Sequence, residues 1–308
     1  MSAPPIRVPR APGEATIVRP RISARERLRR IVLRRELLAG MIRNDLKIKY
    51  KNSVLGFAWS LLNPLLYLVV YYIAFTIILK AGIPAFPIYL LSGLLVWNLF
   101  STGLGGATGS VVANAGLVKK VAFPREILPL AAVGSMLVHF FLQGSVLLIV
   151  LAIFRWHVAW AYLPLIPFAL AALLLVTGAL GIMLSAINVY LRDTSHFLEL
   201  ALLAWFWVTP VVYAFQTVAH SHNGVLVKIW MSNPVTPIVL AFQRGLYAKL
   251  DNVHKTNGVV TSVTPLLPHW PYWGYVAYLG YSFVFGAVFL AIAIRVFGRS
   301  EANFAEEL

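Results

Sequence analysis

Six long stretches of this chain contain no charged residue, and this pattern constrains the fold more than any other feature. Each stretch exceeds the about 20 apolar residues that a helix needs to cross a bilayer. Only 12% of all residues are charged, whereas soluble domains carry about a quarter. The sequence therefore predicts a polytopic membrane protein. The charge-free stretches are 52–79, 81–118, 127–154, 156–191, 200–227 and 256–294.

Positive charge is concentrated at the N-terminal end of the chain. The formal net charge is +15, and fourteen of the 26 Lys and Arg residues precede Asn52. Basic residues beside membrane spans are retained in the cytoplasm, where they attract anionic lipid headgroups. We therefore expect both termini to be cytoplasmic. Membrane lipids, and not nucleic acid, are the expected partner of the basic segment, because no soluble domain remains to bind nucleic acid.

The charge pattern divides the chain into three parts. Residues 1–22 are rich in Pro and Arg, and we expect a disordered cytoplasmic tail. Residues 23–52 predict an amphipathic interface helix, because apolar residues from Leu28 to Ile42 share one face and basic residues occupy much of the rest. Residues 53–308 predict an all-α domain of six transmembrane helices. The predicted spans are about 56–79, 88–112, 127–153, 163–190, 197–215 and 273–297.

The connection between the fifth and sixth predicted spans contains further helical sequence. Residues 228–250 are apolar but are interrupted at Asn233, Pro234 and Pro237. Each half is too short to cross a bilayer. The segment therefore predicts two external re-entrant or interfacial half-helices.

No motif for catalysis or metal binding is present. The sequence lacks the GxxxxGK[ST] loop of nucleotide-binding proteins, the HExxH motif and any cysteine. Ion-coupled transporters place Asp or Glu at mid-membrane depth, and here the nearest acid is Glu199, close to the cytoplasmic end of the fifth span. We therefore expect no catalytic, cofactor or metal site in this chain. If the chain transports a substrate, a separate motor is implied.

Two predicted spans carry a polar and aromatic stripe at helical spacing. Such a stripe usually faces protein or a water-filled path, and aromatic rings stack on the apolar faces of sugars. An aromatic belt at the membrane interface is the competing interpretation. The predicted path residues are Ser60, Asn63, Tyr67, Tyr71 and Phe75 of the first span, and Trp205, Phe206, Thr209 and Tyr213 of the fifth.

Five segments together resemble one known family. They are RNDLKIKYKNSVLGFAWSLLNPLL (43–66), NAGLVKKVAFPREILPL (114–130), NVYLRDTSHFLEL (188–200), WVTPVVY (207–213) and MSNPVTPIVLAFQRGLY (231–247). In this order they are similar to the membrane subunits of type-2 ABC exporters for lipid-linked polysaccharides, the Wzm, KpsM and TagG group. The resemblance covers the chain from about residue 25 to its C-terminus.

The resemblance implies partners that the sequence itself does not contain. Two copies of the chain would form a homodimeric pore, and two separate ABC ATPase subunits would bind ATP and Mg²⁺ below it. The loop at 114–124 corresponds to the family's coupling helix, which docks on the ATPase. The residues expected to couple the two subunits are Asn114, Leu117, Val118, Lys119, Lys120, Val121, Phe123, Arg125 and Glu126.

The resemblance implies export of a lipid-linked polysaccharide across the bacterial inner membrane. O-antigen, teichoic acid, capsule and galactan all fit as cargo.

Three alternative functions stay open. A type-2 ABC exporter of a drug or small lipid would need no aromatic path. A membrane-embedded glycan transferase would need a catalytic acid, for which Asp193 and Glu199 are poor candidates. An ion-coupled transporter is disfavoured by the missing intramembrane acids.

Overall fold

The protein is mainly helical, as the apolar runs of its sequence predict. The computed structural model describes residues 6–10, 14–18, 24–51, 58–79, 82–216, 225–256 and 259–308. In chain order the helices are α1 (Ala24–Leu33), α2 (Arg35–Tyr50), α3 (Trp59–Tyr72, continued by a π-helix over Ile73–Ile78), α4 (Phe86–Ala113), α5 (Ala115–Lys120), α6 (Ile127–Ile153), α7 (Leu165–Tyr190), α8 (Thr194–Val208), α9 (Val225–Ser232), α10 (Thr236–Phe242, continued by a π-helix over Gln243–Tyr247), α11 (Tyr272–Ser300) and α12 (Phe304–Glu307).

Within the described part of the chain, four helices are long and apolar enough to cross a membrane. They are Phe86–Ala113, Ile127–Ile153, Trp160–Tyr190 and Tyr272–Asn303. The prediction of an all-α membrane-type protein is confirmed at this level.

The helices at the first and fifth predicted spans, α3 and α8, are shorter. Helix α8 ends at Val208 because Thr209 adopts an extended conformation (φ −106°, ψ 128°). Pro210 then follows, and proline cannot supply the N–H that a continuing helix needs.

Helix α4 lies at the centre of the bundle. Most of its residues are buried, which is typical of a helix with apolar residues around most of its circumference. Small residues let the helices approach closely. A Cβ on Gly181 of α7 would lie 2.7 Å from Cβ of Ala107 in α4, and a Cβ on Gly286 of α11 would lie 2.9 Å from Cγ of Leu175 in α7. Close approach at small residues is the usual way in which helices pack in lipid.

Helix α2 packs one face along the first half of α6. A Cβ on Gly134 would lie 2.5 Å from Cδ1 of Ile42, and the Ser135 hydroxyl donates a hydrogen bond of 3.4 Å to Oδ2 of Asp45. Ile42 of the apolar face therefore contacts α6 at a position where α6 carries no side chain.

The two short helices α9 and α10 meet at a break held by hydrogen bonds. Asn233 Oδ1 accepts from the backbone N–H of Val235 at 3.0 Å and from Trp205 Nε1 at 2.9 Å. The sequence predicts two short helices interrupted at Asn233, Pro234 and Pro237, and the chain does break at 233–235. Pro237 lies in the first turn of α10, where its missing N–H is not needed.

Two antiparallel hairpins complete the described structure. Strands β1 (Ile6–Arg10) and β2 (Glu14–Val18) pair with each other, so this part of the segment 1–22 differs from the expectation of a disordered tail. Strands β3 (Asp251–Thr256) and β4 (Val259–Pro265) form the second hairpin. Each hairpin contains β-branched residues, which favour strands.

Candidate functional site

The aromatic stripe of α3 contacts α8. The rings of Tyr67 and Tyr71 stack with 6.3 Å between their centroids, and Tyr71 in turn lies 6.2 Å from Phe75. Tyr71 also stacks on Phe206 of α8 at 6.1 Å. The structure therefore brings together the two helices on which the sequence analysis places a path.

A cavity of about 530 Å³ opens beside this aromatic contact. Tyr67, Tyr71 and Phe206 form part of its wall, so three of the predicted path residues line one space. Its wall combines aromatic rings, amides, hydroxyls and apolar side chains. The other lining residues are Lys49, Leu94, Trp97, Asn98, Leu99, Ser101, Thr102, Met136, His139, Phe140, Gln143, Glu199, Leu202 and Leu203.

A second cavity of about 420 Å³ continues from the first between α2, α4 and α6. The two share Lys49, Thr102 and Met136 in their walls, and together they form what we call the α4–α6 groove. A Cβ added to Gly105 or to Gly109 would have no other atom of the described structure within 4 Å beyond the backbone of its own helix. Three glycines of α4, at 105, 106 and 109, line this end of the groove and leave it wide.

The polar centre of the groove is a contact between α2 and α6. His139 Nε2 lies 3.0 Å from Lys49 Nζ and 2.9 Å from the Tyr50 hydroxyl oxygen. An ammonium group can only donate, so Nε2 is the acceptor in the contact with Lys49. Nearby, the Asn98 side-chain amide donates to Gln143 Oε1 at 3.2 Å.

The sequence analysis missed these polar residues of the groove. His139 and Gln143 are four apart on an apolar helix and share its face. A search for polar residues inside the charge-free stretches would have found them. Lys49 lies outside those stretches, so its place in the groove is visible only from the packing of α2 on α6.

The remaining predicted path residues of the fifth span lie elsewhere. Trp205 packs on Phe100 with 5.0 Å between centroids, and buried Thr209 accepts a hydrogen bond from Asn233 Nδ2 at 2.9 Å. The Tyr213 hydroxyl donates to the Trp207 carbonyl at 2.8 Å. Because α8 ends at Val208, the helical spacing that predicts one stripe does not extend to Thr209 and Tyr213. These three residues fix the end of α8 against its neighbours, and none lines the groove.

Two predicted path residues of the first span fall partly outside the structure. The side chains of Ser60 and Asn63 lie outside the described residues, so their part in the stripe stays a prediction.

The loop between α4 and α6 divides into an outward and an inward set. Asn114 ends α4, with its Nδ2 donating to the Ser110 carbonyl at 2.8 Å. The outward set comprises Leu117, Lys119, Lys120 and Val121, which are exposed. Two apolar and two basic side chains therefore lie together on one short exposed segment.

The inward set contacts this chain itself. Val118 is buried, and Phe123 packs half-buried against the same apolar cluster as Val118. Arg125 donates to the Glu301 carbonyl at 2.5 Å, with its guanidinium 5.8 Å from the ring centroid of Phe304. The sequence analysis expects Val118, Phe123 and Arg125 to contact an ATPase, whereas here they join the loop to the C-terminal end of the chain.

Glu126 is also held within the chain. Arg27 of α1 donates from one guanidinium nitrogen to Glu126 at 2.6 Å and to Glu301 at 2.7 Å. Burial acts to lower the pKa of Arg27, but the hydrogen bonds to Glu301 and Glu126 outweigh it and raise the pKa. Glu126 is only 1% exposed, and this partly buried pairing joins α1, the loop and the C-terminal end.

The sequence of this chain is similar to those of known membrane transport proteins. The chain matches the ABC-2 type transporter family over residues 36–247, a range that includes the groove and the loop. It is 34% identical over 215 residues to the O-antigen export system permease protein RfbA of Myxococcus xanthus, which covers 69% of this chain and 81% of that protein. A protein of the same name from Klebsiella pneumoniae is 29% identical over 208 residues, which is 68% of this chain and 79% of the relative.

Proposed function

This chain belongs to the ABC-2 type transporter family, and we propose that it is the membrane permease subunit of an ABC exporter for a lipid-linked polysaccharide of the cell envelope. The relatives named as O-antigen export permeases support a polysaccharide cargo. O-antigen, teichoic acid, capsule and galactan polymers all fit this proposal.

The aromatic cavity beside α3 and α8 is the observation that carries the proposal. Tyr67, Tyr71 and Phe206 offer ring faces, and Asn98 and Gln143 offer amides in the same cavity. Sugar rings present apolar C–H faces and polar edges, so a wall of this kind suits them. Stacking that is weak per contact also allows a polymer to bind and then slide.

The proposal includes a transmembrane arrangement. We place six spans in the bacterial inner membrane, with α3 and α8 joining the four long helices and with α9 and α10 as external re-entrant half-helices. Both termini lie in the cytoplasm, which agrees with the basic N-terminal segment. The apolar faces that α3 and α8 leave exposed beside the cavity are where we place a second copy of the chain, forming a homodimer.

The energy for export comes from a separate chain in this proposal. Two ABC ATPase subunits bind ATP and Mg²⁺, and the permease itself is not an enzyme. The exposed residues Leu117, Lys119, Lys120 and Val121 form the docking surface for the ATPase, and Val118, Phe123, Arg125 and Glu126 hold that surface in place from behind.

The proposal is tested by removing the coding sequence from its host and restoring it. We expect loss of polysaccharide at the cell surface and accumulation of lipid-linked polymer inside, because synthesis continues while export stops. Both amounts are measured after membrane fractionation, at matched expression of the restored chain.

An unchanged distribution of polymer would contradict the proposal. A drug or small-lipid exporter would instead change tolerance to that compound without moving the polymer. A glycan transferase would differ again, because its loss leaves no completed lipid-linked polymer to accumulate.

A further inference from the structure

The outward set of the loop is carried by a helix that is too short to hold its own position. Helix α5 contains six residues, whereas isolated helices shorter than about 12–15 residues are marginal in water. Because the outward set is exposed, the opposite face of α5 has to fix its position. Val118 lies on that face and is buried. The position of the outward set therefore depends on what packs behind Val118.

The last residues of the chain pack behind α5. Helix α11 ends at Ser300, and a turn over Glu301–Asn303 leads directly into α12. Helix α12 contacts α5 and α7, and Phe304 at its start belongs to the same apolar cluster as Val118. We call residues Glu301–Leu308 the C-terminal segment. This segment therefore lies against the inner side of the loop.

Phe304 anchors the C-terminal segment. Its side chain is fully buried, and its ring centroid lies 5.2 Å from that of Phe297 of α11 and 6.1 Å from that of Tyr190 of α7. The Tyr190 hydroxyl also donates a hydrogen bond of 2.8 Å to the Ser300 carbonyl. The ends of a chain are usually poorly ordered unless they are tied down. These contacts tie the C-terminal segment to two long helices.

Two arginines add polar contacts between the loop and the C-terminal segment. Arg125 donates to the Glu301 carbonyl, and Arg27 donates to the carboxylates of Glu126 and Glu301. The Arg27 guanidinium packs directly on α11, since a Cβ on Gly298 would lie 3.1 Å from its Cζ. Hydrogen bonds that involve charged groups are among the stronger ones. A shift of the loop relative to α11 would therefore have to break several of them.

We propose that the C-terminal segment holds the loop in the position in which the ATPase binds its outward set, with Phe304 and Arg125 as positioning residues. This inference deepens the proposed function, on which it rests, by making ATPase binding depend on the last eight residues of the chain. A released loop binds more weakly, because the apparent affinity falls with the fraction of chains in the competent position. The same packed contacts carry a displacement of the docked loop to α11.

The first test follows the loop in the purified chain without any ATPase. A nitroxide is attached at Lys120→Cys, in the outward set, or at Trp160→Cys, an exposed position beyond the opposite end of α6. The native chain has no cysteine to compete for the label. Phe304→Ala is expected to increase the mobility of the label at position 120 in the electron paramagnetic resonance spectrum and to leave position 160 unchanged. Phe304→Leu retains an apolar side chain and is expected to keep the wild-type spectrum.

The second test measures the ATPase that copurifies with the cysteine-free chain from its host. Phe304→Ala is expected to lower the recovery about tenfold, because truncation of a buried ring releases the loop. Phe304→Leu is expected to restore recovery to within about twofold of the wild type. Phe154→Ala is the matched control and is expected to behave as the wild type, since this ring is exposed just beyond the end of α6.

Arg125→Leu is a second variant that leaves the buried ring of Phe304 in place. It removes the hydrogen bond to the Glu301 carbonyl. We expect a more mobile label at position 120 and at least about threefold lower recovery of the ATPase, because hydrogen bonds from charged groups contribute more than neutral ones. An unchanged spectrum at position 160 shows that a variant is folded. If Phe304→Ala fails this check, Arg125→Leu decides the proposal by the same two measurements.

The outcomes separate the role of the C-terminal segment from the proposed function. A label at position 120 that is equally immobile in the wild type and in both variants would overturn the proposal. A mobile loop with normal recovery of the ATPase would overturn it as well, because binding would then not require a fixed loop. If no ATPase copurifies with the wild-type chain while Phe304→Ala still mobilises the loop, the exporter is refuted and the holding of the loop by the C-terminal segment is supported.

Discussion

Tyr71 is the residue at which the first predicted span touches the fifth. Its ring stacks on Phe206 of α8, contacts Tyr67 and Phe75 of its own helix, and lines the cavity. Its neighbour Tyr72 is of the same type and in the same helix but does not line the cavity. Comparing variants of Tyr71 and Tyr72 therefore distinguishes a role in the path from a general role of tyrosine at the membrane interface.

Replacing Tyr71 by Leu is expected to slow export of the polymer. An aromatic pair contributes about 0.5–1.5 kcal/mol beyond burial, so the rate is expected to fall roughly two- to tenfold while the protein remains inserted. Tyr71→Phe keeps the ring and is expected to retain most of the rate. The measurement is the ratio of surface to internal polymer at matched expression.

Tyr72→Leu serves as the control for this comparison. We expect export at the wild-type level, because its ring is outside the cavity wall. Equal slowing by Tyr71→Leu and Tyr72→Leu would assign both rings to an interfacial belt, and the path would then lie elsewhere.

At the scale of elements, the loop between α4 and α6 has an exposed edge and a buried back. Val121 is 49% exposed on this edge, and Val263 of strand β4 is 54% exposed. The two residues are alike in type and exposure, but only Val121 belongs to the surface that we assign to the ATPase.

Val121→Asp is expected to reduce the ATPase that copurifies with the permease by at least about tenfold. The cause is an unpaired carboxylate placed in an interface that excludes water. Val263→Asp is expected to copurify as the wild type does. Normal recovery of the ATPase with Val121→Asp would remove this edge from the docking surface.

Local elements were predictable from the sequence, whereas contacts between distant residues were not. The long helices follow from the charge-free runs, and the break between α9 and α10 follows from Asn233 and Pro234. The contact of Lys49 with His139 joins residues 90 positions apart, and no local pattern specifies it. The helical spacing along the fifth span does not reveal the end of α8 at Val208, so the role of Thr209 and Tyr213 in the path stays a prediction.

At the scale of the whole molecule, the orientation of the chain can be measured directly. The sequence contains no cysteine, so each introduced thiol reports one position without background. Arg29 of α1 and Val263 of β4 are both exposed, and the proposed topology places them on opposite sides of the membrane.

A membrane-impermeant maleimide is expected to label Val263→Cys in cells whose inner membrane is intact. Arg29→Cys is expected to react only after that membrane is permeabilised, because basic segments remain in the cytoplasm. Labelling of Arg29→Cys before permeabilisation would reverse the orientation.

The contacts of Arg27 impose a parity on the number of membrane crossings. Glu126 and Glu301 both touch Arg27, so all three lie on one side, and the chain must cross an even number of times between each pair. Among the described residues, only one long helix, α4, lies between Arg27 and Glu126. If every long helix crosses once, α3 has to supply a second crossing so that the number is even. Three long helices of the described structure, α6, α7 and α11, lie between Glu126 and Glu301. The segment that begins with α8 therefore has to supply a fourth crossing. The contacts of a single guanidinium thus agree with the six crossings that we propose.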